Sequence, residues 1–399
     1  MTRFWNGREA SLNQNITLIM KKYNLEPYFS QMTKLLLFLF ISLSFFACIN
    51  SPSEKFDNPN FEKVELDYAQ GLRIWKNGYE YRVEIRNPRD TSELVKSYFF
   101  TTGQVVNEMD SISIPVKTAA LNSTTFIAYF DKLNEAGLIT GVTFSDRMMN
   151  KNLLMQVEEG KTIELISAGE LDFEKVLSLN PDVFMAYSYG DSDFSRIEDQ
   201  GIPVVLNMEY LETHPLGRAE WIKLVGILTG QEQAADSIFN AVRDHYRELQ
   251  NQVSFKSSLP SVFTGSRYND IWYAPGSESY IANYIRNAGG NYVFNDLEGA
   301  GSHEIAYETA LKAISDAEYW GMVTSQDDPF TMQSVLEMDE YYGTFKSFRD
   351  SNIFVCNAAK TDYFGDAVME PHVILSDIIS ILHPDILPDY TGKYFRKVE

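Results

Sequence analysis

Cysteine is almost absent from this sequence, which holds only Cys48 and Cys356 among its 399 residues. Two cysteines exclude a disulfide framework and a metal site built from thiolates. Cys356 follows the apolar residues 353–355, a position that predicts a buried strand residue. The fold must therefore be held by a hydrophobic core, and a composition of 44% hydrophobic and 14% aromatic residues is sufficient to build one.

Basic residues are few: 34 Lys and Arg stand against 55 Asp and Glu, which gives a net charge of −21. Such a surface repels phosphate backbones, so nucleic-acid binding is disfavoured. Common catalytic motifs are also missing, since there is no G-x-S-x-G elbow, no Walker loop and no G-x-G-x-x-G after a strand. Residues 299–301 lack the third glycine. These absences predict that the protein is not an enzyme.

Long hydrophobic runs are missing as well, because the run from Leu35 to Ala47 is shorter than the roughly 20 residues that span a bilayer. It follows Lys34 and a second methionine, Met32, and ends at a small residue. That arrangement predicts an export signal over residues 32–47. An export signal needs nothing upstream, so we expect residues 1–31 to come from a mis-called start and exclude them from the fold.

The end of this signal, residues 45–48, resembles the lipobox of bacterial lipoproteins, although Phe45 stands where Leu is usual. The resemblance implies that Cys48 becomes the lipid anchor of the mature protein. An ordinary signal peptide with an incidental cysteine is the alternative. Residues 48–60, with several Ser, Pro and Asn, are predicted to form a flexible tether. We expect a periplasmic protein that a lipid anchors to a membrane of the cell envelope.

The pattern after the tether is first β and then α/β. Residues 79–85 alternate with period two, and Asn77-Gly78 is a strong hairpin signal, so residues 61–115 predict an antiparallel meander. After Pro115 short apolar strands alternate with helices, an order that implies parallel strands with crossover connections. The predicted strands of this part are 116–121, 138–144, 183–187 and 202–206, and the predicted helices are 126–133, 171–179 and 215–228.

The longest helical pattern covers residues 231–253, with Ile238, Val242 and Leu249 on one stripe. A second alternating part follows, with strands near 261–263, 319–324 and 353–356 and helices near 279–287, 306–314 and 371–382. The sequence thus predicts an N-terminal lobe over 61–208, a linker with an interlobe helix over 209–253 and a C-terminal lobe over 254–399.

Several blocks resemble the class III periplasmic binding proteins, which are substrate-binding lipoproteins of iron-chelate and cobalamin ABC importers. Residues 171–182 are similar to the family segment N-x-E-x-[IVL]-L-x-L-x-P-D, with Asp172 at the usual Asn. The other similar blocks are 139–142, 202–205, 288–291, 307–309 and 317–319. Residues 214–221 and 382–384 resemble features of a branch found in Bacteroidetes-type bacteria.

This resemblance implies two α/β lobes with mostly parallel sheets, joined by one long helix and preceded by the antiparallel β segment. It implies a ligand in the cleft between the lobes, an ABC transporter permease as partner, a monomer and no cofactor. An iron-siderophore is the ligand we expect, with cobalamin or haem as alternatives. A surface lipoprotein that binds a glycan or a macromolecule is an alternative of another class.

The resemblance also assigns two carboxylates. Glu174 and Glu308 match two family glutamates, one on each lobe, that pair with arginines of the permease when the loaded protein docks. Two separated ion pairs fix orientation more than they add affinity. The alternative for each is a solvated glutamate on a helix face.

Candidate ligand contacts lie where strands end. In the N-terminal lobe they are Asn122, Ser123, Thr124, Tyr187, Ser188 and Tyr189. The first three offer backbone N–H groups to an anionic ligand, and simple helix capping is their alternative. A core tyrosine is the alternative for Tyr187.

In the C-terminal lobe the candidates are Arg267, Trp272 and Tyr363, the first two on a predicted loop. Arg267 offers its planar fork to an anionic chelate, with a surface salt bridge as the alternative. Trp272 offers a face for a flat macrocycle, with a packed core aromatic as the alternative.

Histidine is scarce. The five histidines, His214, His245, His303, His372 and His383, show no H-x-H or H-x-x-x-H spacing, so direct binding of a bare metal ion is disfavoured. His303 beside Glu304 is the best single candidate. We expect any iron to arrive in a chelate or within haem.

Overall fold

A computed structural model of the chain describes residues 58–102, 111–187 and 192–399. The export signal, the anchor Cys48 and most of the tether lie outside the described residues, as do Ser188 and Tyr189. Within the part of the chain that is described, no helix has both the length and the apolar character needed to cross a membrane.

The first sheet is the predicted meander. Its strands are β1 (Glu62–Val64), β2 (Leu72–Asn77), β3 (Glu80–Asn87), β4 (Asp90–Thr101) and β5 (Ser111–Ser113). The first four strands pair antiparallel in chain order, whereas β5 runs parallel to β4. The β2–β3 turn is formed by Gly78 and Tyr79, and Gly78 has φ +61°, which explains the Asn-Gly signal. Tyr81, Val83 and Ile85 point into the core on alternate positions of β3.

The N-terminal lobe is built on a parallel sheet in the order β12-β11-β6-β7-β8. Its elements are β6 (Ala119–Leu121), α1 (Thr124–Lys132), β7 (Ile139–Val142), α2 (Lys151–Glu158), β8 (Ile163–Glu164), the hairpin β9 (Ile166–Ser167) and β10 (Glu170–Leu171), α3 (Phe173–Leu179), β11 (Val183–Ala186), α4 (Ser195–Glu198) and β12 (Val204–Leu206). Capping signals place the helices: the side chains of Ser123 and Asp172 accept hydrogen bonds from the first turns of α1 and α3.

The linker contains three helices: α5 (Pro215–Glu220), α6 (Ile222–Thr229) and α7 (Glu232–Val253). Residues 215–228 were predicted as one helix, but the helix is interrupted at Trp221, which ends α5 and precedes α6. Gly230 ends α6 in the left-handed conformation, with φ +72°.

The predicted interlobe helix is confirmed as α7, whose 22 residues span about 33 Å at 1.5 Å per residue. Its buried stripe is Ala235, Phe239, Val242, Tyr246, Leu249 and Val253. This stripe packs against α6 at one end and against a helix of the C-terminal lobe, α12 (Pro371–Leu382), at the other. At its start Glu232 accepts a hydrogen bond from the phenol of Tyr81 in the first sheet, so the helix contacts both predicted lobes.

The C-terminal lobe has a five-stranded sheet in the order β16-β13-β18-β19-β20, parallel except for β20. Besides α12 its elements are β13 (Ser261–Thr264), β14 (Ser266–Tyr268), β15 (Ile271–Pro275), α8 (Tyr280–Asn287), β16 (Asn291–Tyr292), β17 (Ser302–Ala306), α9 (Tyr307–Ile314), β18 (Tyr319–Thr324), α10 (Met332–Met338), α11 (Lys346–Arg349), β19 (Ile353–Asn357) and β20 (Phe395–Lys397). Cys356 lies on β19 with no exposed surface, as predicted, and burial raises the pKa of its thiol to about 11.

A small antiparallel sheet, β14-β15-β17, replaces the loop that was predicted around residues 267–272. Asn269 and Asp270 form the β14–β15 turn, and Asn269 has φ +54°. Asn and Asp tolerate the left-handed conformation that a two-residue hairpin turn requires, so this signal was present in the sequence.

Strand order indicates where a ligand is expected to bind. In the N-terminal lobe the chain leaves β6 toward β7 and later returns to its other side as β11, and in the C-terminal lobe β13 is flanked in the same way by β16 and β18. Ligands of open α/β sheets bind where the order reverses, at the carboxyl ends of the strands. The expected positions are therefore the ends of β6 and β11 in one lobe and of β13 and β18 in the other.

Candidate ligand-binding site

Asn122 joins the two strand ends of the N-terminal lobe. Its Oδ1 accepts from the backbone N–H of Tyr187 at 2.8 Å, and its Nδ2 lies 3.4 Å from the Tyr187 carbonyl oxygen. Ser123 caps α1 by accepting from the N–H of Thr125 at 3.3 Å. The capping interpretation thus describes the side chain of Ser123, whereas that of Asn122 links β6 to β11. Their use by a ligand stays a prediction.

Tyr187 faces solvent at the end of β11, with 36% of its surface exposed. The core-tyrosine alternative is therefore wrong for this residue. Its ring meets that of Tyr210 edge to face, with 6.1 Å between the centroids. Tyr210 was not among the predicted residues, because nothing in its local sequence marks a ligand contact.

The lobes touch through the segment after β19. Thr125 Oγ1 donates to the carbonyl oxygen of Phe364 at 2.7 Å, and Lys132 Nζ lies 3.0 Å from the carboxylate of Glu370. Thr124 lies beside Asp362 and Asp366 along the same contact. Thr124 therefore lies at the contact between the lobes, and its use by a ligand stays a prediction.

Arg267 is paired with acidic side chains of its own lobe, and its contact with a ligand stays a prediction. Its guanidinium forms ion pairs with Asp339 and Asp270, and its Nε donates to the carbonyl oxygen of Asn269. It also lies 4.1 Å from the ring centroid of Tyr307. The surface salt-bridge alternative describes Arg267, because the β14–β15 hairpin turns its side chain back onto the protein.

The prediction that Trp272 offers its ring to a ligand is wrong. It has no exposed surface, its Nε1 donates to the Thr264 carbonyl oxygen at 3.2 Å, and its ring packs on neighbouring aromatics. These neighbours are Phe263, Tyr307, Trp320 and Tyr342. Trp272 faces this core because alternate residues of β15 point inward. The packed-aromatic alternative is the correct one.

Tyr363 lies beside a cation that the sequence analysis did not select, Arg218. The N-terminus of α5 is set by His214, whose Nδ1 accepts from the N–H of Leu216 at 3.1 Å, and by Pro215 at the first helical position. One turn later Arg218 donates from Nε to Oε2 of the buried Glu209 at 2.7 Å. The short helix thereby fixes the arginine by its inner nitrogen.

The side chain of Arg218 is only partly buried. About one fifth of its side chain is exposed (20%), and the described residues offer its two terminal nitrogens no hydrogen-bond or ion-pair partner. The Cζ atom lies 4.8 Å from the ring centroid of Tyr280. Arg218 lines a narrow crevice of about 10 Å³ between the linker and the C-terminal lobe, which is room for about one water-sized group such as a single carboxylate oxygen. This Arg218 crevice is lined by Pro215, Arg218, Tyr280, Tyr284, Tyr363, Ala367, Val368 and Ile374.

The electrostatics of the crevice favour an anion. Burial is the largest single influence on the pKa of Arg218 and lowers it. The carboxylate of Glu209 and the oxygens of Tyr280 and Tyr129 together outweigh burial and raise that pKa, so the guanidinium stays charged. Burial raises the pKa of Tyr284 and of Tyr363 well above the ordinary value, so both remain neutral phenols. A charged fork and neutral phenols can bind carboxylate, catecholate or phosphate oxygen. Residues 214–221, which resemble features of one branch of the family, include this arginine.

The two docking candidates occupy matching positions. Glu174 is the second residue of α3 and Glu308 is the second residue of α9, and both side chains are exposed. Glu174 forms an ion pair with Arg196. Within the described residues Glu308 has no ion-pair partner. Their role stays a prediction.

Metal ligands do not cluster in the part of the chain that the structure covers, where no group of three or more His, Cys, Asp or Glu is suited to hold an ion. The ring of His303 meets the carbonyl oxygen of Glu298 at 2.9 Å. His245 and His372 pack together with 4.9 Å between their ring centroids.

Comparison with known proteins identifies the family. The sequence profile described as "Periplasmic binding protein" matches residues 123–359, which is more than half of the chain. The chain belongs to the periplasmic binding protein family. It is therefore a class III substrate-binding protein of the ABC importer type, as the sequence blocks implied.

Individual relatives agree with this assignment. An uncharacterized lipoprotein of Methanocaldococcus jannaschii is 29% identical over 297 residues, covering 72% of this chain and 70% of the relative. A periplasmic binding protein from Veillonella parvula has the same fold, with a TM-score of 0.57 and 13% identity over 72% of this chain and 94% of that one. The haem-binding protein RhuT from Roseiflexus has a TM-score of 0.55 and 14% identity over 68% and 99%. The predicted two-lobed α/β fold of this periplasmic binding protein is thus confirmed.

Proposed function

We propose that this protein captures an anionic ferric chelate of the siderophore class between its lobes and delivers it to the permease of an ABC importer. One observation carries the ligand class: Arg218 is held by Glu209 through Nε alone and lines a crevice that is also lined by tyrosines. The family assignment supports the transport role.

The charge of the molecule makes this cation significant. At a net charge of −21 the protein as a whole repels anions, so an anionic ligand needs a local positive group. A guanidinium matches the paired oxygens of carboxylate and catecholate groups in a bidentate geometry. The low dielectric of a mostly buried site strengthens the attraction.

Haem is the second candidate. The phenols of Tyr280 and Tyr363 border the crevice, and Tyr187 and Tyr210 lie at the end of β11. A tyrosine can serve as the axial ligand of haem iron, and the propionates of haem would suit Arg218. A haem-binding protein among the solved structures shares the fold.

The remaining assignments complete the transport proposal. Cys48 anchors the protein by a lipid at the end of the tether, and the lobes cover residues 61–208 and 254–399 around the linker. Glu174 and Glu308, at the starts of α3 and α9, form the ion pairs with the permease. The anchor holds the protein close to the permease and raises its effective concentration there.

The test is a ligand screen on the purified protein, by thermal shift and then calorimetry. The panel contains ferric hydroxamate, catecholate and carboxylate siderophores, haem and cobalamin. We expect a ferric siderophore to raise the Tm by several degrees, because a ligand that binds only the folded state stabilises it. Binding of haem or of cobalamin alone would contradict the siderophore assignment.

Arg218→Gln tests the site. We expect the affinity for the chelate to fall about ten- to a hundredfold, since a hydrogen bond to a charged group contributes about 1.5–3 kcal/mol. Because this change leaves the buried Glu209 unpaired, the neutral pair Glu209→Gln with Arg218→Gln is the second variant. Arg89→Gln, at an exposed turn, is the matched control. Unchanged affinity in both site variants would place the ligand elsewhere.

A further inference from the structure

A cavity of about 380 Å³ lies inside the C-terminal lobe. It is enclosed by the strands β13, β18, β19 and β20, by the helices α8 and α12, and by Phe330 and Met338 of the segment that follows β18. Its lining is predominantly apolar, and Ile281, Ile285 and Ile378 are typical of it. We refer to it as the apolar cavity.

The apolar cavity opens where a ligand is expected. Thr264 and Gly265 line it at the end of β13, and Val323 and Thr324 line it at the end of β18. These are the carboxyl ends at which the strand order of this sheet reverses. Val323 is 45% exposed and Met338 is 50% exposed, so the rim is in contact with solvent.

The apolar cavity and the Arg218 crevice are neighbours. Tyr284 of α8 lines both of them, and it is nearly buried, with 5% of its surface exposed. An anion-binding fork and an apolar chamber thus share a wall. That arrangement suits a single ligand that is charged at one end and apolar at the other.

We propose that the apolar cavity receives an acyl or aryl arm of the ligand whose anionic head Arg218 binds, so that the transported chelate is amphiphilic. The inference rests on the proposed function for its head-group site. The volume is adequate, because an apolar cavity of about 150 Å³ is large enough to bind benzene.

Transfer of apolar groups from water is expected to make a longer arm bind more tightly. A predominantly apolar lining gives water few polar partners, so an arm that displaces water from it is expected to lose little. Each methylene transferred from water into it is expected to tighten binding roughly fourfold, at about 0.8 kcal/mol for a buried CH₂. The affinity of anionic ligands with one head group is therefore expected to rise with the length of the arm.

The experiment uses the whole purified protein and three probes with the same carboxylate head: butyrate, octanoate and dodecanoate, measured by calorimetry. We expect octanoate to bind at least tenfold more tightly than butyrate, and up to about two hundredfold if all four extra methylenes are buried. Equal affinities for butyrate and octanoate would overturn the inference, while a ferric siderophore that still binds would leave the proposed function intact.

Two variants test the location. Val323→Trp places bulk at the rim and Ile281→Phe places it inside, so both are expected to reduce the octanoate-to-butyrate ratio to below threefold. Leu259→Trp, an exposed apolar position outside the lining, is the matched control and should keep the ratio. A ratio that both cavity variants leave unchanged would overturn the inference.

Arg218→Gln separates the two proposals. We expect it to weaken all three alkanoates by the same factor while their ratio stays as in the wild type. A preserved ratio with no loss of affinity would support the apolar cavity as a binding site and contradict Arg218 as the head-group site.

Discussion

His214 holds a position at which a charge is poorly tolerated. Its Nδ1 accepts a hydrogen bond from Leu216, its ring stacks on Tyr68 with 4.6 Å between centroids, and it meets Tyr246 edge to face at 5.8 Å. Burial, with a smaller contribution from the positive charge of Arg247, lowers the pKa of His214 to about 4. The neutral ring is therefore part of the folded structure.

This lowered pKa predicts a loss of stability in acid. The unfolded chain takes up a proton near pH 6.5, whereas the folded protein does so only near pH 4. Stability is thus fully present above pH 6.5 and falls as the pH drops toward 4. The measurement is the Tm between pH 7.5 and pH 4.

His214→Asn is the matched variant, because Asn keeps a capping oxygen and does not titrate. We expect its Tm to fall less steeply in acid than that of the wild type. Some slope will remain, since burial also lowers the pKa of His372 to about 4. Identical slopes in the two proteins would show that His214 does not contribute.

At the scale of elements, the segment 67–71 is attached to the linker region by two buried carboxylates, Glu220 of α5 and Glu212, which precedes that helix. The backbone N–H groups of Asp67, Tyr68 and Ala69 donate to Glu220 at 2.7–2.9 Å. Those of Gln70 and Gly71 donate to Glu212 at 2.9–3.0 Å. Five consecutive backbone donors are thus satisfied by side chains of the linker region. These hydrogen bonds attach the segment before the second strand of the first sheet to the linker.

Glu220→Gln is predicted to destabilise the protein by roughly 2–3 kcal/mol, because the amide nitrogen of Gln cannot accept from the donors that a carboxylate oxygen satisfied. Chemical denaturation measures the change. The control is Glu65→Gln, whose carboxylate is largely exposed and pairs with a surface lysine. A loss no larger than that of the control would show that the segment is held by other contacts.

At the scale of the whole molecule, α7 and the contacts of residues 362–370 tie the lobes together. Lys132 of α1 pairs with Glu370, which also binds Lys393 and the phenol of Tyr394. Burial by itself would raise the pKa of Glu370. The pairs outweigh burial and lower that pKa to about 2, so the carboxylate is charged at neutral pH. A 22-residue helix that contacts both lobes favours small movements of the lobes over wide opening.

Permease docking belongs to this scale. The double variant Glu174→Ala with Glu308→Ala is predicted to abolish ligand uptake and to leave the Kd of the chelate unchanged, because both side chains lie on exposed helix starts. Uptake by whole cells and calorimetry on the purified protein measure the two quantities.

The matched control removes two other exposed helix glutamates, one in each lobe, as Glu158→Ala with Glu337→Ala. This control is expected to transport normally. Transport that survives in the docking variant would contradict the assignment of Glu174 and Glu308.

Local patterns predicted most of the elements. The Asn77-Gly78 turn, the cap Ser123 and the stripe of α7 were predicted correctly, because each depends on neighbours within one or two turns. The β14–β15 hairpin was missed although Asn269-Asp270 marks it. That miss made Trp272 look accessible.

The sequence by itself determined the α/β class, the long interlobe helix and the family, since these follow from local periodicity and short motifs. Only the tertiary structure decided which side chains face the crevice. Arg218, Tyr280 and Tyr363 meet although 145 residues separate the first from the last. Trp272 is not part of the site, because on β15 its side chain points into the core. Periodicity tells which residues are apolar and which face they share, whereas a binding site is set by contacts between distant segments.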